Sequence, residues 1–109
     1  MKKSIFNMEL IILSSIIEKD CYGYEIASTI FKKSEGILDI KEGALYPILS
    51  RLKENGFVSN YEKVVNRKIR VYYHIEKPGI LLYSNLEKEF YLKFKAVENI
   101  LRGVESNEK

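Results

Sequence analysis

The apolar residues of this chain change period twice, and that pattern restricts its fold more than any single motif does. Up to Gly56 they recur at the three- and four-residue steps of helices. After Gly56 the period reads as two, with Phe57, Ser59, Tyr61 and Lys63 on one side and Val58, Asn60, Glu62 and Val64 on the other, and Arg70 to Ile75 adds a run of strand formers, Val71, Tyr72, Tyr73 and Ile75. After Pro78 the helical steps return and persist for about 25 residues. Helices, then a hairpin, then a helix predict an α+β domain that is mostly α.

The elements can be placed more closely. Ile5, Met8, Ile12 and Ile16 predict a first helix from about Ser4 to Lys19, with Leu13 and Ile17 widening its apolar stripe, Ser4 as N-cap and Glu9 near its positive pole. A second helix, about Gly23 to Lys33, gathers Ile26, Ala27, Ile30 and Phe31 on one face. Ile37-Leu38-Asp39-Ile40, bounded by Gly36 and Gly43, reads as a short strand or an extended linker. A third helix starts between Glu42 and Ala44 and stops at Asn55-Gly56. In it Leu45, Ile48, Leu49 and Leu52 make one buried face, and Pro47 is expected near the first turn, where a missing N–H is harmless. Two strands flank the polar segment Val65-Asn66-Arg67-Lys68-Ile69. Leu82, Leu86, Phe90, Phe94, Val97, Leu101 and Val104 form the stripe of the last helix. A helix that long outreaches a core of three short ones, so its stripe predicts a partner, a second copy of the chain. The expected organisation is a domain at 1–77, a dimerisation helix at 78–105 and a frayed tail at 106–109.

Composition removes several classes of function. At 109 residues with 46% apolar and 30% charged side chains, one folded domain is the expectation. One cysteine, Cys21, and one histidine, His74, build neither a disulfide nor a zinc site, and no phosphate-binding glycine loop occurs. No nucleophile–base pair is apparent, so an enzyme is not expected, and neither is a cofactor or a metal. The longest apolar run, near Leu10 to Ile17, is too short to span a bilayer, and no cleavage site follows it. A cytoplasmic location without membrane contact is expected.

The positive charge is local. The net charge is +3 from 18 basic and 15 acidic side chains. Lys63, Arg67, Lys68 and Arg70 have no acid among them from 63 to 70, and without these four the chain carries 14 basic against 15 acidic groups. A local basic hairpin tip fits a phosphate backbone. It also fits a solvated tip whose lysines prevent edge pairing. The element order removes part of that ambiguity. Three helices followed by a hairpin is the winged helix-turn-helix plan, in which the third helix enters the major groove and the hairpin, or wing, touches the backbone.

Three sequence blocks carry a resemblance. Tyr22-Gly23-Tyr24-Glu25-Ile26, the run from Gly43-Ala44-Leu45-Tyr46-Pro47 through Leu52 to Gly56, and Arg70-Val71-Tyr72-Tyr73-His74-Ile75 resemble the motifs of the PadR family of transcriptional regulators, in the family's order. Ala44 and Glu76 stand where that family usually has threonine, and there is no Trp to form a drug-stacking pair. The single last helix resembles the family's short-tailed branch. The resemblance implies a winged helix with a long C-terminal dimerisation helix, which binds a near-palindromic operator in double-stranded DNA as a homodimer and represses transcription. Ala44, Tyr46, Pro47, Ser50 and Arg51 would face DNA from the third helix, and Lys63, Asn66, Arg67, Lys68 and Arg70 from the wing. Leu82, Leu86, Phe90, Phe94, Val97 and Leu101 would form the dimer interface. Phe6, Met8 and Tyr91 would line a pocket for a small-molecule effector, although core and dimer packing explains them as well. Tyr46 wedged against the wing, Tyr72 and Tyr73 as packing residues, and His74 and Cys21 without a chemical task are the plainer alternatives. The rival for the whole chain is a winged-helix protein-interaction module that binds no operator.

Overall fold

The computed structural model describes residues 7–107. Helix α1 (Met8–Ile16) leads through a turn to a two-residue strand β1 (Cys21–Tyr22), then to α2 (Gly23–Lys33) and α3 (Glu42–Glu54). A hairpin, β2 (Val58–Val65) and β3 (Lys68–Ile75), is followed by α4 (Lys77–Asn107). The antiparallel sheet has the order β1-β3-β2, with Cys21 opposite Tyr73 and Tyr22 opposite Tyr72. This is a winged helix with a long C-terminal helix.

The three short helices bury most of the face that their spacing sets. Ile12, Leu13 and Ile16 from α1, Ile26 and Ile30 from α2, and Leu45, Leu49 and Leu52 from α3 form one core, closed by Cys21, Val58, Tyr73 and Ile75 of the sheet. Phe31, expected on the buried face of α2, is exposed instead. Leu82, Tyr83 and Leu86 pack the first turns of α4 onto this core. The helix then continues away from it, giving the molecule a long axis of 63 Å against 28 and 27 Å across.

Three local expectations differ from the structure, and one open alternative is decided by it. The cap of α1 is Asn7, whose Oδ1 accepts from the Leu10 N–H at 3.0 Å; Ser4 lies outside the described residues. Of the two readings for Ile37–Ile40, the structure has the linker: these residues form no strand. The third strand is Cys21–Tyr22, which the sequence does not announce as a strand; two residues are too few to show a period. Pro47 is the sixth residue of α3, a turn deeper than expected. Its ring removes the donor to the Gly43 carbonyl, and Gly43 is exposed, so water is free to take that bond.

Candidate nucleic-acid interface

Two exposed surfaces carry the basic and polar candidates. The first is the outward face of α3. Burial of Leu45, Leu49 and Leu52 turns Ala44, Pro47, Ser50 and Arg51 to solvent on the same helix. Tyr46 is partly withdrawn from this face. Its hydroxyl donates to Glu42 Oε2 at 2.5 Å, and the same oxygen rests where a side chain on Gly23 would stand, 2.6 Å from a Cβ placed there. The hydrogen bond to Glu42, followed by burial, pushes the Tyr46 phenol up to about 12, with Arg70 pulling the other way. Tyr46 thus wedges α3 against the start of α2, with Tyr73 and Arg70 of the wing near enough to act on its phenol.

The second surface is the wing. Its strands are longer than the sequence pattern predicts, and they pair without a break from Val58 opposite Ile75 to Val65 opposite Lys68. Only Asn66 and Arg67 remain to turn the chain, with φ of 52° and 66°. Left-handed φ at both central residues marks the two-residue turn that matches strand twist. Asn suits that conformation; Arg does so at a cost of roughly 1 kcal/mol. Asn66, Arg67 and Lys68 are exposed at the tip.

Lower in the stem, Lys63 stands opposite Arg70. Neither makes an ion pair among the described residues, whose salt bridges lie elsewhere. Both lie on aromatic rings. The Arg70 guanidinium carbon is 5.1 Å from the Tyr22 ring centre, and Lys63 Nζ is 5.2 Å from that of Tyr72. Tyr72 is buried between Tyr22, edge-on at 5.3 Å, and Tyr61, stacked at 5.7 Å. Tyr22 is legible in the sequence only as part of a motif. Its place beside Arg70 depends on the β1–β3 pairing, which the sequence does not announce.

The other candidates fall into separate groups. Leu82 and Leu86 are half-buried against the protomer's own core, whereas Phe94, Val97 and Leu101 are exposed along the free part of α4. Phe90 and Tyr91 line a groove of about 310 Å³ between α1 and α4, with Leu10, Ile11, Leu38 and Tyr83. Met8 packs against the core and is not on that lining; Phe6 lies outside the described residues. Cys21 is buried with its Sγ 3.5 Å from the Ser15 carbonyl, and burial pushes its thiol pKa up, so it is not poised as a nucleophile. Among the described residues no group of side chains has the make-up of a metal site, and no helix is long and apolar enough to cross a membrane.

Comparison with known proteins agrees with this geometry. A transcriptional regulator from Clostridium thermocellum is 38% identical and superposes with a TM-score of 0.77, over 84% of this chain and 90% of its own. A PadR family transcription regulator from Clostridium difficile R20291 is 26% identical over 85% of this chain and 96% of its own, with a TM-score of 0.74. The fold is shared with Bacillus subtilis PadR, solved in complex with operator DNA, at 20% identity and a TM-score of 0.65, over 72% of this chain and 45% of that one. The model of the PadR-like family of transcriptional regulators matches residues 12–85, from the core of α1 through the wing to the first turns of α4, and the chain belongs to that family.

Proposed function

We propose that the chain is a homodimeric, sequence-specific DNA-binding regulator that represses transcription from a near-palindromic operator. The observation that carries this reading is the wing tip: an exposed Asn66-Arg67-Lys68 turn, free of acid, at the end of a stem that also carries Lys63 and Arg70. Such a tip neutralises phosphate and sets affinity. The outward face of α3, with Ser50 and Arg51 central, supplies the base contacts. Bacillus subtilis PadR, held on its operator, provides the precedent for a fold of this kind on DNA.

Two copies joined through α4 would offer two α3 helices to half-sites about one helical turn apart. From Phe90 the apolar positions of α4, Phe94, Val97, Leu101 and Val104, follow at steps of 4, 3, 4 and 3. That is the heptad spacing of a two-helix seam. An effector in the α1–α4 groove would act by changing the angle between the α4 helices, and with it the half-site spacing. One observation favours the rival reading of a protein-interaction module: Val64, Ile69 and Val71 are exposed on the core-side face of the wing.

Salt titration of binding separates these possibilities. The measurement uses duplexes from the DNA upstream of the chain's own reading frame and a scrambled control. Arg67→Ala and Lys68→Ala are expected to weaken both duplexes alike and to reduce the salt slope by roughly 0.9 for each phosphate left without its cation. Arg51→Ala is expected to cost about 1–3 kcal/mol on the specific duplex and much less on the control. A parent protein that binds neither duplex at low salt transfers the function to protein interaction.

A further inference from the structure

We infer that Tyr22 and Tyr72 are positioning residues for DNA binding, holding Arg70 and Lys63 as a preformed pair of phosphate ligands. The inference rests on the DNA-binding reading above and assigns a task to side chains that the reading leaves as packing.

The stem of the wing carries an electrostatic liability. Lys63 and Arg70 are direct cross-strand partners, so their side chains leave the same face of the hairpin. Like charges in that relation destabilise a strand pair. The usual remedy is a neighbouring carboxylate, and none pairs with either among the described residues. Arg70 carries a second penalty, since its Nε is sealed from solvent without a hydrogen-bond partner. A buried unsatisfied donor is rare in a native fold and calls for a reason.

The tyrosines supply that reason. One level below the two cations, each strand contributes a tyrosine to a continuous row, Tyr22 from β1, Tyr72 from β3 and Tyr61 from β2, in direct register. Arg70 lies on the first ring and Lys63 on the second. The ring faces attract the cations and limit the rotamers they sample. Arg70 gives up hydration at Nε and keeps its remaining donors for an outside acceptor. A cation already stripped of part of its water and held in one place loses less entropy when it meets a phosphate. Two adjacent cations without an internal acid fit the DNA backbone, which presents closely spaced anions.

The test is a double-mutant cycle on the full-length protein, read as affinity for a duplex of arbitrary sequence over a salt series, since phosphate contacts do not depend on sequence. Arg70→Ala is expected to lower the salt slope by about 0.9. Tyr22→Leu, which keeps the backbone N–H bond to Glu25, is expected to weaken binding about two- to fivefold. The double mutant is expected to match Arg70→Ala alone, because the tyrosine acts through the arginine. Tyr22→Phe is expected to bind like the parent. Losses that multiply in the double mutant would overturn the inference, as would a Tyr22→Leu protein of parental affinity. If Tyr22→Leu does not fold, Arg70→Lys decides. It keeps the charge but loses the flat stacking group, and parental affinity in that variant would overturn the inference as well. A parent protein that binds no duplex removes the DNA reading itself, whereas a parent that binds and an additive cycle remove only the role of the tyrosines.

Discussion

His74 Nδ1 lies 2.8 Å from Asp20 Oδ1, joining β3 of the wing to the turn that follows α1. The second oxygen of Asp20 accepts from the Tyr61 hydroxyl at 2.7 Å, so one carboxylate ties both wing strands to the helical core. The hydrogen bond to Asp20 raises the His74 pKa above its ordinary 6.5 despite some desolvation. Desolvation acts to raise that of Asp20, but the bonds from Tyr61 and His74 outweigh it and hold it below 3.8. A raised histidine contributes stability below its unfolded pKa and loses it as pH rises through the folded value. A lowered aspartate contributes above its unfolded pKa and loses it as pH falls through the folded value. The brace is therefore strongest between roughly pH 4 and 6.5. With the two side chains 49% and 31% exposed, screening limits it to about 1 kcal/mol or less. Because the chain has one histidine, NMR titration of that ring isolates the effect. Asp20→Asn is expected to bring the His74 pKa down toward 6.5; an unchanged value would mean that the contact does not persist in solution.

The wing tip is expected to trade stability for binding. Arg67 holds φ of 66° where glycine would sit without strain. Arg67→Gly is expected to stabilise the fold by about 0.5–1 kcal/mol, read as a rise of a few degrees in Tm. The same variant is expected to leave one phosphate without its cation and to give up the corresponding part of the salt slope. A drop in Tm would show that Arg67 makes a structural contribution larger than its backbone strain.

The sequence discloses the parts of this fold that repeat. Leu45, Leu49 and Leu52 mark the buried face of α3 because a helix returns them to one side, and the strand formers on either side of the basic tip mark the hairpin. It conceals what depends on pairing between distant residues. Asp20 and His74 are 54 positions apart and meet only because Cys21–Tyr22 adds a third strand. Two residues carry no period, so that strand, the tyrosine row on it and the resting place of Arg70 all stay hidden. Basic side chains at the tip are legible as charge, but the left-handed turn that presents them becomes visible only once the strands are in register. Leu82 and Phe94 look alike as members of one stripe, yet one is spent on the protomer's core and the other is exposed.

The start of α4 depends on a close approach of two backbones. A methyl group on Gly79 would collide with the Phe57 carbonyl oxygen and come within 2.8 Å of Ile75 Cγ1. That carbonyl already accepts from the Glu76 N–H at 2.9 Å, so it cannot move away without breaking the junction between β3 and α4. Gly79→Ala is expected to destabilise by about 3 kcal/mol or more. Gly103 lies in the same helix with open space around it, and Gly103→Ala is expected to stabilise by about 0.5–1 kcal/mol. Urea denaturation at one fixed protein concentration measures both. Equal effects of the two substitutions would contradict the packing at Gly79.

The free part of α4 gives the most direct test of the dimer. Phe94, Val97, Leu101 and Val104 are 48%, 43%, 61% and 51% exposed in the single chain. Continuous apolar exposure on that scale is unusual for a monomer. The heptad steps place these side chains on one line, where a second α4 would bury them as a seam. Leu101 touches no part of the described core cluster, so its substitution reports on association without disturbing the fold. Leu101→Glu puts like charges into the seam wherever the two helices cross near this position. Sedimentation equilibrium is expected to show the parent as a dimer and Leu101→Glu shifted toward monomer, with helical content retained below the free segment. Binding to a full operator is expected to fall with the dimer, because one wing and one α3 then act alone, while binding to a half-site is expected to change little. A monomeric parent would remove the dimer, and a Leu101→Glu protein that dimerises as tightly as the parent would place the interface elsewhere on the molecule.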